Sequence, residues 1–374
     1  MQVCALALKN WKNFRAIHLK LQPRVFILGP NAVGKSNLLD ALRFLHDIPA
    51  HGLQKAIEAR GGMKAIRSLS ARRQTAIGFQ IWVKDNDQRL WQYWLSLTQA
   101  DNHRPQVWEE RVTCENTSLL NRPTAEDHAD PLRRTQTALE QVSENRTFRL
   151  LVDFFQSITY QNLLPQVLRD PRGFTATPIH NDPYGRDFLL QMWNTPLKAR
   201  EARLKSILAI LRGSIPQLND LKIELDASGS PHLLGNYTHW RAQGANQSEQ
   251  QFSDGTLRLL GLLWSVYEGD GPLLLEEPEI SLHPEVIRRL PGLFYRINQT
   301  RQHPRQIILS THSETLLSDE SIAAEEVIRL LPGKNGTEII PTSSAEIAAL
   351  QAGLTPADVL LPSTAPTIHY TLEQ

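Results

Sequence analysis

The sequence predicts an α/β fold with a mixed central sheet and an inserted helical lobe. Residues 25–28 form a short apolar strand that runs directly into a glycine-rich turn and then into a helical pattern. Short all-apolar strands follow much later, at 273–275 and 307–309, and such runs are typical of strands buried on both faces of a parallel sheet. The long stretch between these parts has helical periodicity, which indicates an insertion in one α/β unit.

Composition excludes several classes of protein. With 374 residues, 41% hydrophobic and 21% charged, the chain has the composition of an ordinary folded protein. Its net charge of +1 neither favours nor excludes a nucleic-acid surface. Two cysteines, Cys4 and Cys114, are too few for a disulfide framework or a zinc site, which favours a reducing compartment. No signal peptide and no run of about 20 apolar residues is visible, so a cytoplasmic protein without membrane contact is expected.

The first part of the predicted fold covers residues 1–114. Strands are expected at 3–8 and 25–28, and apolar residues at helical spacing predict a helix at 37–45. Alternating apolar residues between 76 and 97 predict two strands that form a hairpin around the turn at Asp85, Asn86 and Asp87. These elements form the first α/β part of the chain, which carries the glycine-rich turn.

The inserted lobe is predicted at 115–225, and the second α/β part of the chain is predicted at 226–374. Residues 115–135 are polar and poor in pattern, which indicates a loop or the rim of an insertion. The stretches 135–167 and 186–218 are mostly helical and are separated by a proline- and glycine-rich break at 169–185. No heptad repeat persists, so no long coiled coil is expected. Residues 251–345 alternate again between strand and helix.

The glycine-rich turn matches the phosphate-binding loop G-x-x-x-x-G-K-[S/T]. Its glycines allow backbone N–H groups to face phosphates, Lys35 can reach the β- and γ-phosphates, and Ser36 can bind Mg²⁺. The alternative is a plain glycine turn before a helix, which the preceding strand and the following helix disfavour. We therefore predict that ATP and Mg²⁺ bind here, with contacts from Gly29, Pro30, Asn31, Ala32, Val33, Gly34, Lys35, Ser36 and Asn37.

Two adjacent carboxylates, Glu276 and Glu277, follow the buried strand at 273–275. Ligands collect at the carboxyl end of strands in open α/β sheets. One carboxylate can hold Mg²⁺ and the other can accept a proton from the water that attacks the γ-phosphate. The alternative is an acidic junction between a strand and a turn, without a function.

Two further motifs are weaker when taken alone. Ser253, Asp254 and Gly255 precede an apolar helix at 257–267, where a helix N-terminus can bind an anion. A simple helix cap explains the same residues equally well. His312 follows the strand at 307–309 and could contact a γ-phosphate, although a solitary histidine there is more often structural.

The order of these four motifs resembles that in the ABC-type ATPase heads of the RecF, SMC and overcoming-lysogenization-defect families. The resemblance extends over nearly the whole chain and is strongest at 1–45 and 248–320. It implies that Glu276 is the Mg²⁺-side acid, Glu277 the general base and His312 the switch histidine, so the expected catalytic residues are Lys35, Glu277 and His312. It also implies that Ser253 to Gly255 are a signature that closes on the γ-phosphate of a second subunit.

The same resemblance implies that Asn13, Phe14 and Arg15 border the adenine. Ser253 lies 217 positions after Ser36, far more than the roughly one hundred usual in a transporter nucleotide domain, so the insertion is the specialised part. It is too short for the coiled coils of SMC proteins, and a compact lobe like that of RecF is the better comparison.

Three departures from the family pattern concern the metal and the subunit contact. Glu276 stands where most relatives have Asp, although the lysogenization-defect group shares the change, and His283 stands where many ABC proteins have Asp. The glutamine that usually joins Mg²⁺ to the insertion has two candidates. Gln54 matches the SMC spacing and is favoured as a metal residue over Gln80, which lies on a predicted strand.

A basic stretch near the amino terminus is a candidate surface for a nucleic-acid backbone. Only Glu58 opposes it, and the alternative is a solvated helix face. A second basic group on the later helical stretch is weaker. The residues of the first stretch are Lys55, Arg60, Lys64, Arg67, Arg72 and Arg73.

Two functions remain open from the sequence. In the first, a homodimer encloses ATP, hydrolysis reopens it, and the lobe passes the change to DNA or to an operon-encoded effector such as a nuclease, in genome maintenance or anti-phage defence. In the second, the chain is a low-turnover ATP-dependent scaffold or sensor that controls a partner nuclease or toxin. No nuclease constellation is visible in the sequence, so any cutting would come from the partner.

Overall fold

The computed structural model describes residues 1–71, 75–99, 104–169, 183–238 and 245–364. Its strands fall into three sheets. In chain order they are Gln2–Trp11 (β1), Phe14–Lys20 (β2), Arg24–Leu28 (β3), Ile77–Lys84 (β4), Leu90–Gln99 (β5), Pro105–Cys114 (β6), Thr117–Arg122 (β7), Thr159–Gln161 (β8), Leu218–Leu225 (β9), Pro231–Tyr237 (β10), Ala245–Ser248 (β11), Leu273–Glu276 (β12), Ile307–Ser310 (β13), Val327–Gly333 (β14) and Gly336–Ile340 (β15).

The longest helices in the described part of the chain have 14 to 17 residues. None of the described helices is long and apolar enough to cross a membrane. The α-helices are Lys35–His51 (α1), Leu53–Glu58 (α2), Met63–Ile66 (α3), Ala125–Ala129 (α4), Arg149–Gln156 (α5), Pro165–Arg169 (α6), Phe188–Asn194 (α7), Leu197–Leu211 (α8), Asp254–Tyr267 (α9), Pro284–Gln299 (α10), Glu314–Leu317 (α11), Ser344–Gln351 (α12) and Pro356–Val359 (α13), and 3₁₀ turns lie at Pro131–Thr135, Glu144–Phe148, Ala324–Glu326 and Pro362–Thr364.

The central sheet has six strands in the order β15-β14-β3-β13-β12-β8. Five of them run parallel, and β15 pairs antiparallel with β14 at one edge. The sheet is therefore mixed, as predicted. Leu273, Leu274 and Leu275 of β12 are fully buried because both faces of the sheet are covered. The carboxyl ends of the parallel strands share one edge, and the candidate site lies along it.

A second six-stranded sheet, β2-β1-β4-β5-β6-β7, is antiparallel throughout and covers one face of the central sheet. Helix α1 lies between the two sheets. Its Phe44 stacks on Phe79 of β4 with ring centroids 5.1 Å apart, while Leu274 of β12 and Ile308 of β13 belong to the same apolar core. The predicted hairpin at 76–97 is confirmed as β4 and β5, and the predicted helix extends to Lys35–His51.

The opposite face of the central sheet is covered by α9 and α10, followed by α7, α8 and the three-stranded sheet β11-β10-β9. Helix α9 is apolar on nearly every side, with Leu260, Leu263 and Trp264 fully buried. A helix of this kind belongs in the interior of a protein. It therefore forms the core that joins the central sheet to the helices of the insertion.

Two predictions for residues 115–225 are wrong in detail. The stretch 115–135 contains strand β7 and helix α4 instead of a loop, because Arg122 at the end of β7 is buried and bonded to Glu110 and Asp127. The stretch 135–167 contains strand β8, which pairs with β12 of the central sheet. No long coiled coil is present among the described residues. The division at 114 and 225 stays a prediction, although β8 belongs to the sheet of the head.

Candidate functional site

The loop between β3 and α1 has a conformation that only glycine accommodates at two positions. Gly29 and Gly34 have φ angles of +155° and +105°. A Cβ atom on Gly29 would lie 2.5 Å from the carbonyl oxygen of Leu330, and one on Gly34 would lie 2.0 Å from the amide nitrogen of Asn13. The backbone of the loop is thus held closely by its surroundings, as the phosphate-binding pattern predicts.

Lys35 begins α1, and its side chain lies inside the loop. Its ammonium group donates to the carbonyl oxygens of Gly29, at 2.8 Å, and Pro30, at 3.4 Å. Burial lowers the pKa of Lys35, while the nearby carboxylates of Glu277 and Glu276 oppose that shift. The amine therefore stands beside the loop with donors that can turn from carbonyl oxygens to phosphate oxygens.

Asn13 fastens the loop to two hairpins. Its amide nitrogen donates to the carbonyl oxygen of Val33 at 2.6 Å and also contacts the hydroxyl of Thr337, and its amide oxygen accepts from Asn37 at 2.7 Å. The Thr337 hydroxyl also donates to the Val33 carbonyl oxygen. Asn13 comes from the turn between β1 and β2, and Thr337 comes from β15. The side chain of Asn13 therefore braces the loop in this structure.

The other two residues of the Asn13-Phe14-Arg15 segment differ from each other. Phe14 is fully buried in the core between the sheets, so its expected place beside the adenine is wrong. The physical reason is the strand period, which turns Phe14 inward and its neighbour outward. Arg15 is exposed and available to a ligand, and its adenine contact stays a prediction.

Glu276, the last residue of β12, receives two hydroxyl groups. The hydroxyl of Ser36 donates to Oε1, and the phenol of Tyr160 on β8 donates to Oε2. A serine hydroxyl beside a carboxylate is an all-oxygen donor set, which suits Mg²⁺. The residues therefore fit the predicted metal position. Burial raises the pKa of Tyr160 and the Glu276 carboxylate adds to that rise.

Gln54 is not brought to the metal position, which corrects its assignment. It lies on the exposed side of α2 and donates to Glu58 of the same helix. Gln80 lies on β4 within the antiparallel sheet. A third glutamine, Gln161, ends β8 opposite Leu275 and so lies at the same edge as Glu276. Tyr160 and Gln161 lie on a strand of only three residues, which is too short to give a periodic pattern in the sequence.

Glu277 and His312 meet at the carboxyl ends of β12 and β13. Oε1 of Glu277 lies 3.2 Å from Nδ1 of His312, and both side chains are partly exposed. Glu277 has a φ angle of +43°, a conformation uncommon for a side chain other than glycine. Its backbone N–H donates to Ser310, and its carbonyl oxygen accepts from Arg258 at 3.0 Å. These bonds fix the main chain of Glu277, and the contact with His312 orients its carboxylate.

Glu279 supports this arrangement from beneath. Its buried carboxylate accepts from the hydroxyl of Thr311 at 2.6 Å and from the backbone N–H of His312 at 3.4 Å. Burial raises the pKa of Glu279. It fixes the segment that carries His312, and the Glu-Glu-Pro-Glu run could have indicated it as a third acidic position.

The Ser253 segment begins α9 as a capped helix. Ser253 is exposed, and its hydroxyl accepts from the backbone N–H of Thr256 at 3.2 Å. Asp254 pairs with Arg169 at 2.5 Å, and a Cβ atom on Gly255 would lie 2.7 Å from the carbonyl oxygen of Ser281. The helix cap, which explained these residues as well as an anion site did, is present, and the contact with a second subunit stays a prediction. His283 is a similar exposed cap at the start of α10.

One residue of the predicted basic stretch, Arg60, is not available on the surface. Arg60 is largely buried and pairs with Asp40 and Asp47 at 2.8 Å each, so its proposed contact with a nucleic-acid backbone is wrong. Burial acts to lower the pKa of Arg60, but the carboxylates of Asp40 and Asp47 on α1 outweigh it and raise that pKa. Lys55 and Lys64 are exposed, and Arg67 is partly so. The last two members, Arg72 and Arg73, lie outside the described residues.

Comparison with known proteins gives a family and a fold. Residues 24–319 match the family described as "AAA domain, putative AbiEii toxin, Type IV TA system". The DNA replication and repair protein RecF of Parasynechococcus marenigrum (strain WH8102) is 42% identical over 45 residues. That match covers 12% of this chain and 12% of that protein.

Solved SMC heads have the same fold. The Smc head bound to the C-winged helix domain of ScpA superposes with a TM-score of 0.54 at 13% identity, covering 93% of this chain and all of that one. An Smc head domain with an extended coiled coil, derived from Pyrococcus furiosus and bound to the C-terminal domain of ScpA, gives a TM-score of 0.51 at 12% identity, covering 94% and 98%. The chain belongs to the AAA domain family that its residues 24–319 match, and it has the fold of the SMC heads.

Proposed function

We propose that the protein hydrolyses ATP at the β3–α1 loop, with Mg²⁺ held by Ser36 and Glu276 and with Glu277 as the general base. One observation carries the proposal: the adjacent residues Glu276 and Glu277 make two separate contacts, one with Ser36 of the loop and one with His312 of the next strand. A metal carboxylate and a base must both reach the same phosphate. Their position at a shared sheet edge meets that requirement.

Each residue has a chemical task in this proposal. Lys35 exchanges its carbonyl partners for phosphate oxygens, and the loop N–H groups face the same oxygens. Bound Mg²⁺ would supply charge neutralisation at the β- and γ-phosphates. Glu277 accepts a proton from the attacking water. His312 orients the Glu277 carboxylate through the contact between its Nδ1 and Oε1. The backbone contacts of Glu277 keep the base in position without help from the nucleotide.

We further propose that two copies of the chain enclose ATP. Ser253 is exposed at the start of a 14-residue helix, whose first N–H groups and dipole favour an anion. Ser253 and Thr256 bond to each other in this structure, and the phosphate-binding pattern occurs once in the sequence. A second copy would bring its own nucleotide to this helix, and its Ser253 to the first nucleotide, as a two-fold arrangement requires.

The role of the ATPase cycle is proposed as control of an effector in genome maintenance or anti-phage defence. The family description mentions a toxin, and the name of the RecF relative mentions DNA replication and repair. Both support the proposal without fixing the effector. An operon-encoded nuclease is the class of partner that we propose, and the exposed Lys55 and Lys64 are candidate contacts for a nucleic-acid backbone.

A low-turnover scaffold remains the second candidate. The conformation of the β3–α1 loop supports this candidate as well as it supports hydrolysis, because nucleotide binding needs the loop and not the base. In that case nucleotide binding alone would set the state of a partner.

Phosphate release separates the two functions. Wild type, Lys35→Ala and Glu277→Gln are compared with ATP and Mg²⁺. An ATPase loses turnover by about 10²-fold or more in both variants, because one loses phosphate contacts and the other its base. Glu277→Gln still binds ATP and elutes as a dimer in light-scattering chromatography. Turnover in wild type that is no higher than in Lys35→Ala favours the scaffold, and a monomeric Glu277→Gln with ATP contradicts the dimer.

A further inference from the structure

Tyr160 reaches the metal-side carboxylate from the neighbouring strand. Its phenol donates to Oε2 of Glu276 while Ser36 donates to Oε1, so each carboxylate oxygen has a different hydroxyl partner. Strand β8 is fixed beside β12, with Tyr160 opposite Leu274. The phenol therefore approaches Glu276 from a part of the backbone that is independent of the phosphate-binding loop.

The ring is held on its other side by α1. The guanidinium carbon of Arg43 lies 5.1 Å from the ring centroid, a distance typical of a cation–π contact. Tyr160 is partly buried and packs against the core between the sheets. The phenol O–H is a single donor, and its described acceptor is Oε2 of Glu276. The hydroxyl is thus a fixed donor aimed at one oxygen.

A glutamate needs this support more than an aspartate would. Glu276 has one more rotatable bond between its backbone and its carboxylate than Asp has, so more orientations are open to it. A donor on Oε2 selects the orientation in which Oε1 faces Ser36. Mg²⁺ demands near-ideal octahedral geometry, whereas Ca²⁺ accepts a flexible one, so a misplaced carboxylate harms Mg²⁺ binding more.

We propose that Tyr160 is a positioning residue that orients Glu276 toward the Mg²⁺ of the bound nucleotide. This inference rests on the proposed function, since it deepens the account of the same site. It assigns β8, a strand of three residues, to the metal side of the site. Removal of the hydroxyl is expected to act on metal-dependent nucleotide affinity first and on turnover only as a consequence.

The test measures the affinity of a fluorescent non-hydrolysable ATP analogue in Mg²⁺, in Ca²⁺ and in EDTA. Tyr160→Phe is compared with wild type and with Tyr237→Phe, a control in the three-stranded sheet. We expect Tyr160→Phe to weaken binding about 10-fold in Mg²⁺, less in Ca²⁺ and not in EDTA, as removal of an outer-shell partner does. Equal loss in all three conditions would show a merely structural role and overturn the proposal, as would no loss in Mg²⁺.

A double-mutant cycle provides the second readout. The shorter side chain in Glu276→Asp does not reach the phenol, so adding Tyr160→Phe to it should weaken Mg²⁺-dependent binding no further. Losses that multiply in the double variant contradict the proposal. Failure of the proposed function is recognised separately, because wild type itself would then bind the analogue with no Mg²⁺ dependence. If wild type binds the analogue in a Mg²⁺-dependent way and Tyr160→Phe has the same affinity, only the role of Tyr160 is contradicted.

Discussion

At the scale of single residues, the phosphate-binding loop depends on the close approach of Asn13 to Gly34. The space that a Cβ atom on Gly34 would need is already filled by the Asn13 amide, which in turn holds the Val33 carbonyl oxygen. Positive φ and steric exclusion therefore act at the same position. This arrangement makes the orientation of the loop sensitive to a single methyl group.

Gly34→Ala is expected to displace Asn13 and to weaken nucleotide binding at least about 10-fold, through a misplaced loop. We also expect a loss of about 2–3 kcal/mol in the free energy of unfolding, from backbone strain plus the clash. The control is Gly229→Ala, because Gly229 has a φ angle of +80° and a methyl group added to it would have nothing within 4 Å. Urea denaturation and nucleotide titration measure both effects. Equal losses in the two variants would contradict the role of Asn13.

Residues of the site were predictable from sequence to the extent that their chemistry is local. The glycines, Lys35 and Ser36 stand in one run, and the loop they predict is present. Tyr160 has no such signal, because its function arises from the pairing of β8 with β12, 116 positions away from Glu276. The burial of Phe14 was not predictable from its local sequence either, because it depends on how the two sheets pack together.

At the scale of elements, helix α12 is tied to the central sheet by one glutamate with two tasks. Glu346 completes a capping box with Ser343 at the start of α12. Both of its carboxylate oxygens also accept from the guanidinium of Arg329 on β14, at 2.7 and 2.9 Å, and that arginine is buried. The guanidinium of Arg329 and the Ser343 backbone N–H lower the pKa of Glu346 to about 2.

Glu346→Gln is expected to lower the free energy of unfolding by about 2–3 kcal/mol near pH 7, because the buried Arg329 loses its counter-charge. The pKa of Glu346 is lower in the folded chain than its ordinary value near 4.5, so the stabilisation is complete above that pH and is lost as pH falls toward 2. The difference between wild type and variant should therefore shrink below about pH 4.5 in chemical denaturation.

Asp358→Asn is the matched control for Glu346→Gln. Asp358 completes a similar capping box with Thr355 at the start of α13, and its described side-chain bonds are to Thr355. Asp358→Asn should lower the free energy of unfolding less than Glu346→Gln does, because only the cap is lost. If both variants lose the same stability at pH 7, the ion pair with Arg329 contributes nothing beyond the cap.

Element boundaries were predictable where a pattern is long enough to have a period. The hairpin β4–β5 and helix α1 have clear periods and are confirmed. Strand β8 is too short to show one, and a polar composition concealed β7 and α4. In both places tertiary partners stabilise the element, the central sheet for β8 and the ion pairs of Arg122 for the other two.

At the scale of the whole molecule, the proposed dimer depends on the surface around Ser253. A Ser253→Arg substitution puts a large cation at the exposed start of α9, where a second copy would have to approach. In the Glu277→Gln background we expect ATP binding to persist and the ATP-dependent dimer to be lost. Light-scattering chromatography and nucleotide titration measure the two properties.

The control for Ser253→Arg is Ser228→Arg in the same Glu277→Gln background, since Ser228 lies in the exposed turn between β9 and β10. That variant should still form the dimer with ATP. A dimer that survives Ser253→Arg would exclude the α9 terminus from the interface, whereas one lost in both variants would point to a general effect of added positive charge.

The fold class was predictable because short apolar strands and one helix-bearing loop suffice to indicate an α/β unit. The order of strands was not predictable. Strand β3 lies between β13 and β14, and the sequence near residue 28 contains no pattern that indicates either pairing. Pairing between distant segments depends on complementary surfaces that form only when the chain is compact. For the same reason, the hydrogen bond from the Thr337 hydroxyl to the Val33 carbonyl oxygen of the loop was not predictable from the sequence.

The central position of β3 in its sheet has a consequence for folding during synthesis on the ribosome. Strand β3 and its loop are synthesised before both strands that flank β3, since β13 follows about 280 residues later and β14 about 300 residues later. At about 5–20 residues per second, a nascent chain waits roughly 14–56 s before this strand can join its sheet. During that interval an apolar segment and a nucleotide loop emerge without their partners. The ATP site that we propose at this loop is therefore complete only after β13 and β14 have been synthesised.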